Sequence, residues 1–320
     1  MNQPVATVPA NTPFDAPAGS WTLALLPDTQ SYITDCPAAF LRQTEWIAAH
    51  RESHNIRFVL HEGDITETNS PAEWELAQQA MNHLTKAGIP FGISLGNHDY
   101  TPATRQTLVN NYFRSFPHCE SFGTWQPGRH ENHWQTITTP TGRYLIVALE
   151  FAPRDEVLDW ANTVVAQHPD HRVIVATHAY LYWDGTRFDY AARGDTQEYS
   201  PTTYIPAEHG TGNDAEGVWQ KFASQHPNIE FVFSGHILGG GAAHLVSPGK
   251  GGRQVHQIVT NFQKGVIPDR GYGGGGYLRL MQFLPDGKTV QVRTYSPWYD
   301  QWLLEPEHHF TLQSGPAVNA

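Results

Sequence analysis

Residues 94–100 read S-L-G-N-H-D-Y and follow directly on the apolar segment I-P-F-G-I at 89–93. An amide (Asn97), an imidazole (His98) and a carboxylate (Asp99) therefore occupy consecutive positions straight after a predicted strand. A turn held by Gly96 can aim short polar side chains at one point while the strand beneath keeps them rigid, and loops so placed carry function. Gly-Asn-His-Asp is also ordinary β-turn composition. Whether this is a turn or a site depends on how the other strands end.

Upstream, residues 22–26 (TLALL) suit a strand buried on both faces, and Asp28, Thr29 and Gln30 follow it. A helix is predicted over 37–51. Residues 56–60 (IRFVL) run into His61, Glu62, Gly63 and Asp64. Ser70, Pro71 and Glu73 then open a helix with a capping box, which reaches Lys86 before Gly88 stops it. Three successive strand–helix units imply right-handed crossovers and a parallel sheet whose strand ends share one edge.

Downstream, a helix is predicted over 103–116, then an insertion rich in Gly, Pro, His and Trp to about residue 133. Residues 134–138 and 143–149 read as a hairpin, 154–167 as a helix, and 173–176 as a strand that delivers Thr177 and His178. Residues 180–212 lack clean periodicity but carry Tyr180, Trp183, Arg187 and Arg193, as lids and binding loops do. A helix over 214–225 and a strand over 229–233 lead to Ser234, Gly235 and His236. Residues 255–260, 277–284 and 289–295 read as antiparallel strands closing a second sheet. The glycine run at 273–276 lacks the Lys-Ser/Thr of a phosphate-binding loop.

The bulk numbers bound the possibilities. With 320 residues, the chain reads as one α/β domain over 21–312, with insertions at about 101–133 and 180–212, a flexible segment at 1–20 and a tail at 313–320. Its 31 acidic against 20 basic residues, a formal charge of -11, argue against a nucleic-acid polymer as partner, since such affinity rests on clustered Lys and Arg. No apolar run approaches the roughly 18 residues of a membrane helix. Cys36 and Cys119 are compatible with one disulfide or two free thiols. The nearly uncharged Pro-, Ala- and Thr-rich start favours a secreted or periplasmic chain whose signal has been removed over a cytoplasmic one. Nothing in the sequence fixes an oligomeric state.

Collected, the strand ends present Asp28, Gln30, Asp64, Asn97, His178 and His236, oxygen and imidazole donors that suit a divalent ion such as Mn²⁺, Fe²⁺ or Zn²⁺. The order D-x-Q (28–30), G-D (63–64), G-N-H-D (96–99), T-H (177–178) and G-H (235–236) resembles the calcineurin-like metallophosphoesterases over roughly residues 22–240. L-P-D-T-Q-S-Y at 26–32 and V-H-Q-I-V-T-N-F-Q at 255–263 look like a bacterial, often secreted, subgroup of that family.

The resemblance implies a two-sheet β-sandwich flanked by helices in four layers (αββα), with Asp64 bridging two metals and Asn97, His178 and His236 completing one site. The other site, anchored on Asp28, departs from the family pattern: Gln30 and Leu238 stand where it has histidines. One metal is therefore expected to be firmly bound and the second weak or absent, with His61 or His244 as the available substitute donors. A bound ion would lower the pKa of water from ~15.7 toward ~7 for attack on phosphorus. His98, oriented by Asp99, would protonate the leaving oxygen.

For substrate contacts the sequence offers Arg187 and Arg193 as phosphate clamps, Asn261, Gln263 and His61 beside predicted strand ends, and Tyr180 and Trp183 as a stacking platform. Each has an equally ordinary structural role. The leading expectation is a phosphoester hydrolase acting on a small or saccharide-linked molecule. Recruitment to a non-phosphate bond such as a glycan's, or a binding protein with reduced catalysis, are the alternatives.

Overall fold

Each position of the first strand, Trp21–Leu26 (β1), is buried, and its side chains divide between two cores. Trp21, Leu23 and Leu25 join one apolar cluster; Ala24 and Leu26 join another. The period of two that sends alternate residues to opposite faces of a strand is responsible. The same division recurs in the other central strands, so the first cluster fills the space between two sheets and the second lies under the helices outside them. The computed structural model describes residues 16–204, 212–266 and 274–315. The predicted N-terminal segment up to residue 15 and the tail from 316 lie outside that range.

The chain continues through α1 (Gln30–Asp35), α2 (Pro37–Ala49), β2 (Ile56–His61), α3 (Pro71–Lys86), β3 (Phe91–Ile93) and α4 (Val109–Tyr112). It then forms β4 (Ser121–Gln126), β5 (Arg129–Thr139), β6 (Gly142–Ala148), α5 (Asp155–Ala166), β7 (Arg172–Ala176), α6 (Tyr190–Arg193), α7 (Ala215–Val218) and β8 (Ile229–Ser234). The last strands are β9 (Ala242–Pro248), β10 (Gln254–Thr260), β11 (Leu278–Phe283), β12 (Thr289–Ser296), β13 (Gln301–Leu303) and β14 (Phe310–Gln313). One sheet runs β13-β12-β11-β1-β2-β3, with β14 beside β12; the other runs β4-β5-β6-β7-β8-β10-β9. β1, β2 and β3 are mutually parallel, as are β6, β7, β8 and β10. The expected two-sheet sandwich flanked by helices is the observed architecture.

Three expectations are corrected. The helix over 103–116 shrinks to α4, because local side chains capture its backbone: Asn69 bonds Gln106 O and Leu108 N, and Thr104 Oγ1 donates to Thr101 O. Residues 119–133 supply strand β4 and the start of β5 rather than a loop; Glu131, Asn132 and His133 are buried there and hide the apolar alternation. The strands over 255–260, 277–284 and 289–295 do not make a sheet of their own. β10 lies parallel to β8 in one sheet, whereas β11 and β12 run antiparallel beside β1 in the other. The capping box at Ser70 and Glu73 forms, Cys36 and Cys119 are both free thiols, and no helix among the described residues is long and apolar enough to cross a membrane.

Burial of His133 has a measurable consequence. Its ring stacks on Phe116 at 4.4 Å between centroids, and burial pulls its pKa from 6.5 down to about 3. The folded state therefore favours the neutral ring, so its contribution is full above pH 6.5 and is lost as pH falls toward 3. At pH 5 the loss is about 2 kcal/mol. Chemical denaturation at pH 7.5 and pH 5 is expected to show His133→Phe losing about 2 kcal/mol less than the parent chain over that interval; equal losses would contradict it.

Candidate metal centre

Two motif glycines exist because carboxylates sit against their backbone. A Cβ on Gly96 would fall 2.1 Å from Asp64 Oδ1, and one on Gly235 would fall 2.0 Å from Asp28 Oδ1. The turn after β3 thus closes directly over the residue at the end of β2. His98 N donates to Asp64 Oδ1 at 2.9 Å, and His178 Nε2 lies 3.0 Å from Asp64 Oδ2. His178 Nδ1 donates to Glu62 O at 2.8 Å, which leaves Nε2 as the ring nitrogen available to a metal. His236 Nε2 donates to Tyr199 O at 2.8 Å, which leaves Nδ1. Such outer contacts fix tautomer and ring orientation in metal sites.

One ligand atom each from Asp64, His178 and His236 lies within 4.8 Å of the others, and all three residues are buried. Burial alone would raise the Asp64 carboxyl, but His178 beside it holds it at about 2; Asp64 in turn lifts His178, against burial, to about 9. A divalent ion would take the place of the proton this pair shares. Asn97 Oδ1 and Gln30 Oε1 are buried carbonyl oxygens with no hydrogen-bond donor among the described residues. A buried oxygen without a partner is costly, and a cation satisfies it. The donor set therefore fits a divalent metal.

Asp28 is differently placed. Its carboxylate accepts from His236 N at 3.1 Å, Asn261 Nδ2 at 2.9 Å and Gln263 Nε2 at 3.0 Å. Burial, partly offset by His178, pushes its pKa up to about 7. Asn261 and Gln263, expected to contact substrate, both hold Asp28, and Gln263 also lines the cleft. Gln30 and Leu238 line the same cleft, which encloses about 410 Å³.

His98 lines this cleft. Its Nδ1 donates to Glu67 O at 2.8 Å, so Nε2 is the atom left for the cleft. Burial lowers its pKa, but Asp64, the Glu67 carbonyl and the Glu67 carboxylate more than reverse this. The expectation that Asp99 orients the ring is corrected: its carboxylate accepts from the backbone N–H groups of Gly96, Ile65 and Thr66 and from the Thr66 hydroxyl. Asp99 shapes the turn, and the Glu67 carbonyl orients the His98 ring.

Residues 22–240 match the family model described as calcineurin-like phosphoesterase. The chain belongs to that family. Over 287 residues it is 31% identical to the "Uncharacterized protein YvnB" of Bacillus subtilis (strain 168), a match that takes in 87% of this chain and 20% of that protein. The chain thus spans about a fifth of the length of that curated relative. Purple acid phosphatase PPD1 of yellow lupin (Lupinus luteus) shares the fold at a TM-score of 0.55 and 14% identity, covering 93% of this chain and 55% of the phosphatase. GAP50 of Plasmodium aligns at a TM-score of 0.48 and 10% identity, over 92% of this chain and 89% of GAP50.

Within this calcineurin-like frame several candidate residues prove structural. His61 bonds the Thr29 hydroxyl and Gly63 N, and burial pulls its pKa down to about 3. His244 pairs with His256 at 3.0 Å on neighbouring strands, so neither histidine substitutes in the Asp28 site. Arg187 bonds Glu216, Ser247 and Gln257 and lies over Trp219. Arg193 stands 3.9 Å from Asp184 on the surface, Tyr180 is buried, and Trp183 is 52% exposed against Gly239. None of these six candidates lines the cleft. Instead Glu67, Tyr199, Tyr204 and Lys264 do. Tyr199 and Tyr204 lie within the 180–212 segment that reads as a lid or binding loop, but no pattern marked Glu67, which acts partly through its backbone.

Gly96→Ala places a methyl group against Asp64 and is expected to raise the dissociation constant for Mn²⁺ at least tenfold with the circular dichroism unchanged. Competition against a chelating dye measures it; an unaltered constant would show that Asp64 is not a ligand.

Proposed function

We propose that this chain hydrolyses phosphoesters with one firmly held divalent ion and His98 as general acid. The observation that carries the reading is the position of His98: its Nδ1 is fixed on Glu67 O, and it lines one cleft with Asp64, His236 and Asn97, whose buried Oδ1 has no hydrogen-bond partner among the described residues. Oxygen and imidazole donors suit Mn²⁺, Fe²⁺ or Zn²⁺. When bound, such an ion withdraws charge from the phosphoryl oxygens and acidifies water.

The chain's own residues do the rest. Asp64, Asn97, His178 and His236 hold the ion, and the carbonyls of Glu62 and Tyr199 keep both histidines in the ligating tautomer. His98, whose pKa Asp64 and Glu67 raise against burial, is the group placed to give a proton to the departing oxygen from Nε2. A general acid of this kind contributes about 10²- to 10⁴-fold. Asp28 and Gln30 form the weaker second site. The substrate is a small molecule, and a secreted or periplasmic location fits the composition of the N-terminal segment.

A panel of phosphomonoesters, phosphodiesters and glycosides with added Mn²⁺ tests this. Turnover confined to phosphoesters is expected, and turnover of glycosides alone would overturn it. His98→Ala is expected to keep its metal, to lose about 10²-fold or more with an alkyl leaving group, and to lose far less with 4-nitrophenolate. Equal losses for the two would remove His98 from the proton transfer.

A further inference from the structure

Two cavities flank His98. One, of about 410 Å³, reaches from Asp64 to Lys264; the other, of about 500 Å³, opens between Tyr100, Pro102, Phe151 and Tyr204. Glu67, Asn97, His98 and Tyr204 belong to the walls of both, so His98 stands on the partition between them.

The two sides differ in chemistry. The second cavity is mainly apolar, and among its described lining residues Glu67 is the one carboxylate and there is no lysine or arginine. The first carries Asp35, Asp64 and Glu67 against Lys264, whose Nζ lies 2.9 Å from Asp35. Among the described residues no arginine lines either side. A phosphate dianion is ordinarily met by a guanidinium fork, whose paired N–H groups match its oxygens. Here it would meet an added negative charge in Glu67, and like charges at close range repel. A phosphodiester carries one charge rather than two, and it has two substituents to place.

Proton donation sets the orientation. The oxygen that leaves must lie within hydrogen-bond reach of His98 Nε2. A group attached to that oxygen has room past the partition, in the apolar cavity that His98 also lines. We propose that the site is built for phosphodiesters, with an uncharged, apolar-faced alcohol leaving into the Tyr100–Phe151–Tyr204 cavity and the retained substituent in the polar cavity. In the step, water oxygen forms the new P–O bond and the P–O bond to the alcohol breaks. The alcohol oxygen takes the His98 proton, and the proton of the attacking water passes to solvent. This rests on the phosphoester reading above.

Three measurements test it. The kcat/KM for bis(4-nitrophenyl) phosphate is expected to exceed that for 4-nitrophenyl phosphate at least tenfold. Glu67→Gln, which keeps the carbonyl that holds His98, should narrow the ratio severalfold by raising the monoester rate. A monoester rate equal to or above the diester rate overturns the proposal; no turnover of either ester with any added metal overturns the phosphoester reading itself. Pro102→Trp fills the apolar cavity and should lower diester turnover at least fivefold with metal content unchanged, and unaltered turnover would remove the leaving group from that cavity. Calorimetry on the metal-loaded His98→Ala chain should show diphenyl phosphate binding more tightly than phenyl phosphate. The reverse order overturns the charge argument independently of catalysis.

Discussion

Asp64 is held between an imidazole and a backbone N–H, and much of the site follows from that placement. The side chain of His178 arrives from the opposite sheet at 3.0 Å, and the turn after β3 presses His98 N onto the other carboxylate oxygen at 2.9 Å. The first contact ties the strand ends of one sheet to those of the other, and the second ties neighbouring strand ends within one sheet. They also require a residue without a Cβ at position 96, which is why a glycine opens the Asn-His-Asp run. The carboxylate is kept ionised by the imidazole beside it, so the folded chain carries a preorganised carboxylate–imidazolium pair whose shared proton an ion would replace.

The asymmetry between the two halves of the site has an equally concrete origin. Both carboxylates are buried, but Asp64 keeps its oxygens near His178 and the turn, whereas Asp28 has three N–H donors upon it. Asn261 and Gln263 satisfy Asp28 so fully that a second ion would have to displace hydrogen bonds already made. The residues that would reward such an exchange are weak or absent. Gln30 brings one neutral oxygen, and Leu238 brings none.

Much of this was legible in the sequence. Short apolar runs ending in polar residues located the strand ends, and the strand–helix alternation gave the sandwich its parallel strands. What could not be read were interactions set by distance along the chain. The partners of Asn261 and Gln263 lie more than 230 residues away, so nothing local distinguished an Asp28 clamp from a substrate contact. Arg187 looked like a free phosphate clamp until Glu216 and Gln257 reached it across the fold. The orienting group of His98 escaped for another reason. It is a backbone carbonyl, which every residue has, so the identity of Glu67 carried no signal. Sheet membership of β10 and β11 was similarly hidden, because alternation shows that a strand is buried without naming its neighbour.

The claim that most of the mechanism depends on is one tightly held ion coordinated by Asp64, Asn97, His178 and His236. Its direct test is the metal stoichiometry of the purified chain after exhaustive dialysis, read by inductively coupled plasma mass spectrometry beside the Asp64→Asn and Gln30→Ala variants. One equivalent per chain is expected for the parent and for Gln30→Ala, and none for Asp64→Asn. Two equally retained equivalents in the parent, or one equivalent surviving in Asp64→Asn, would contradict the account.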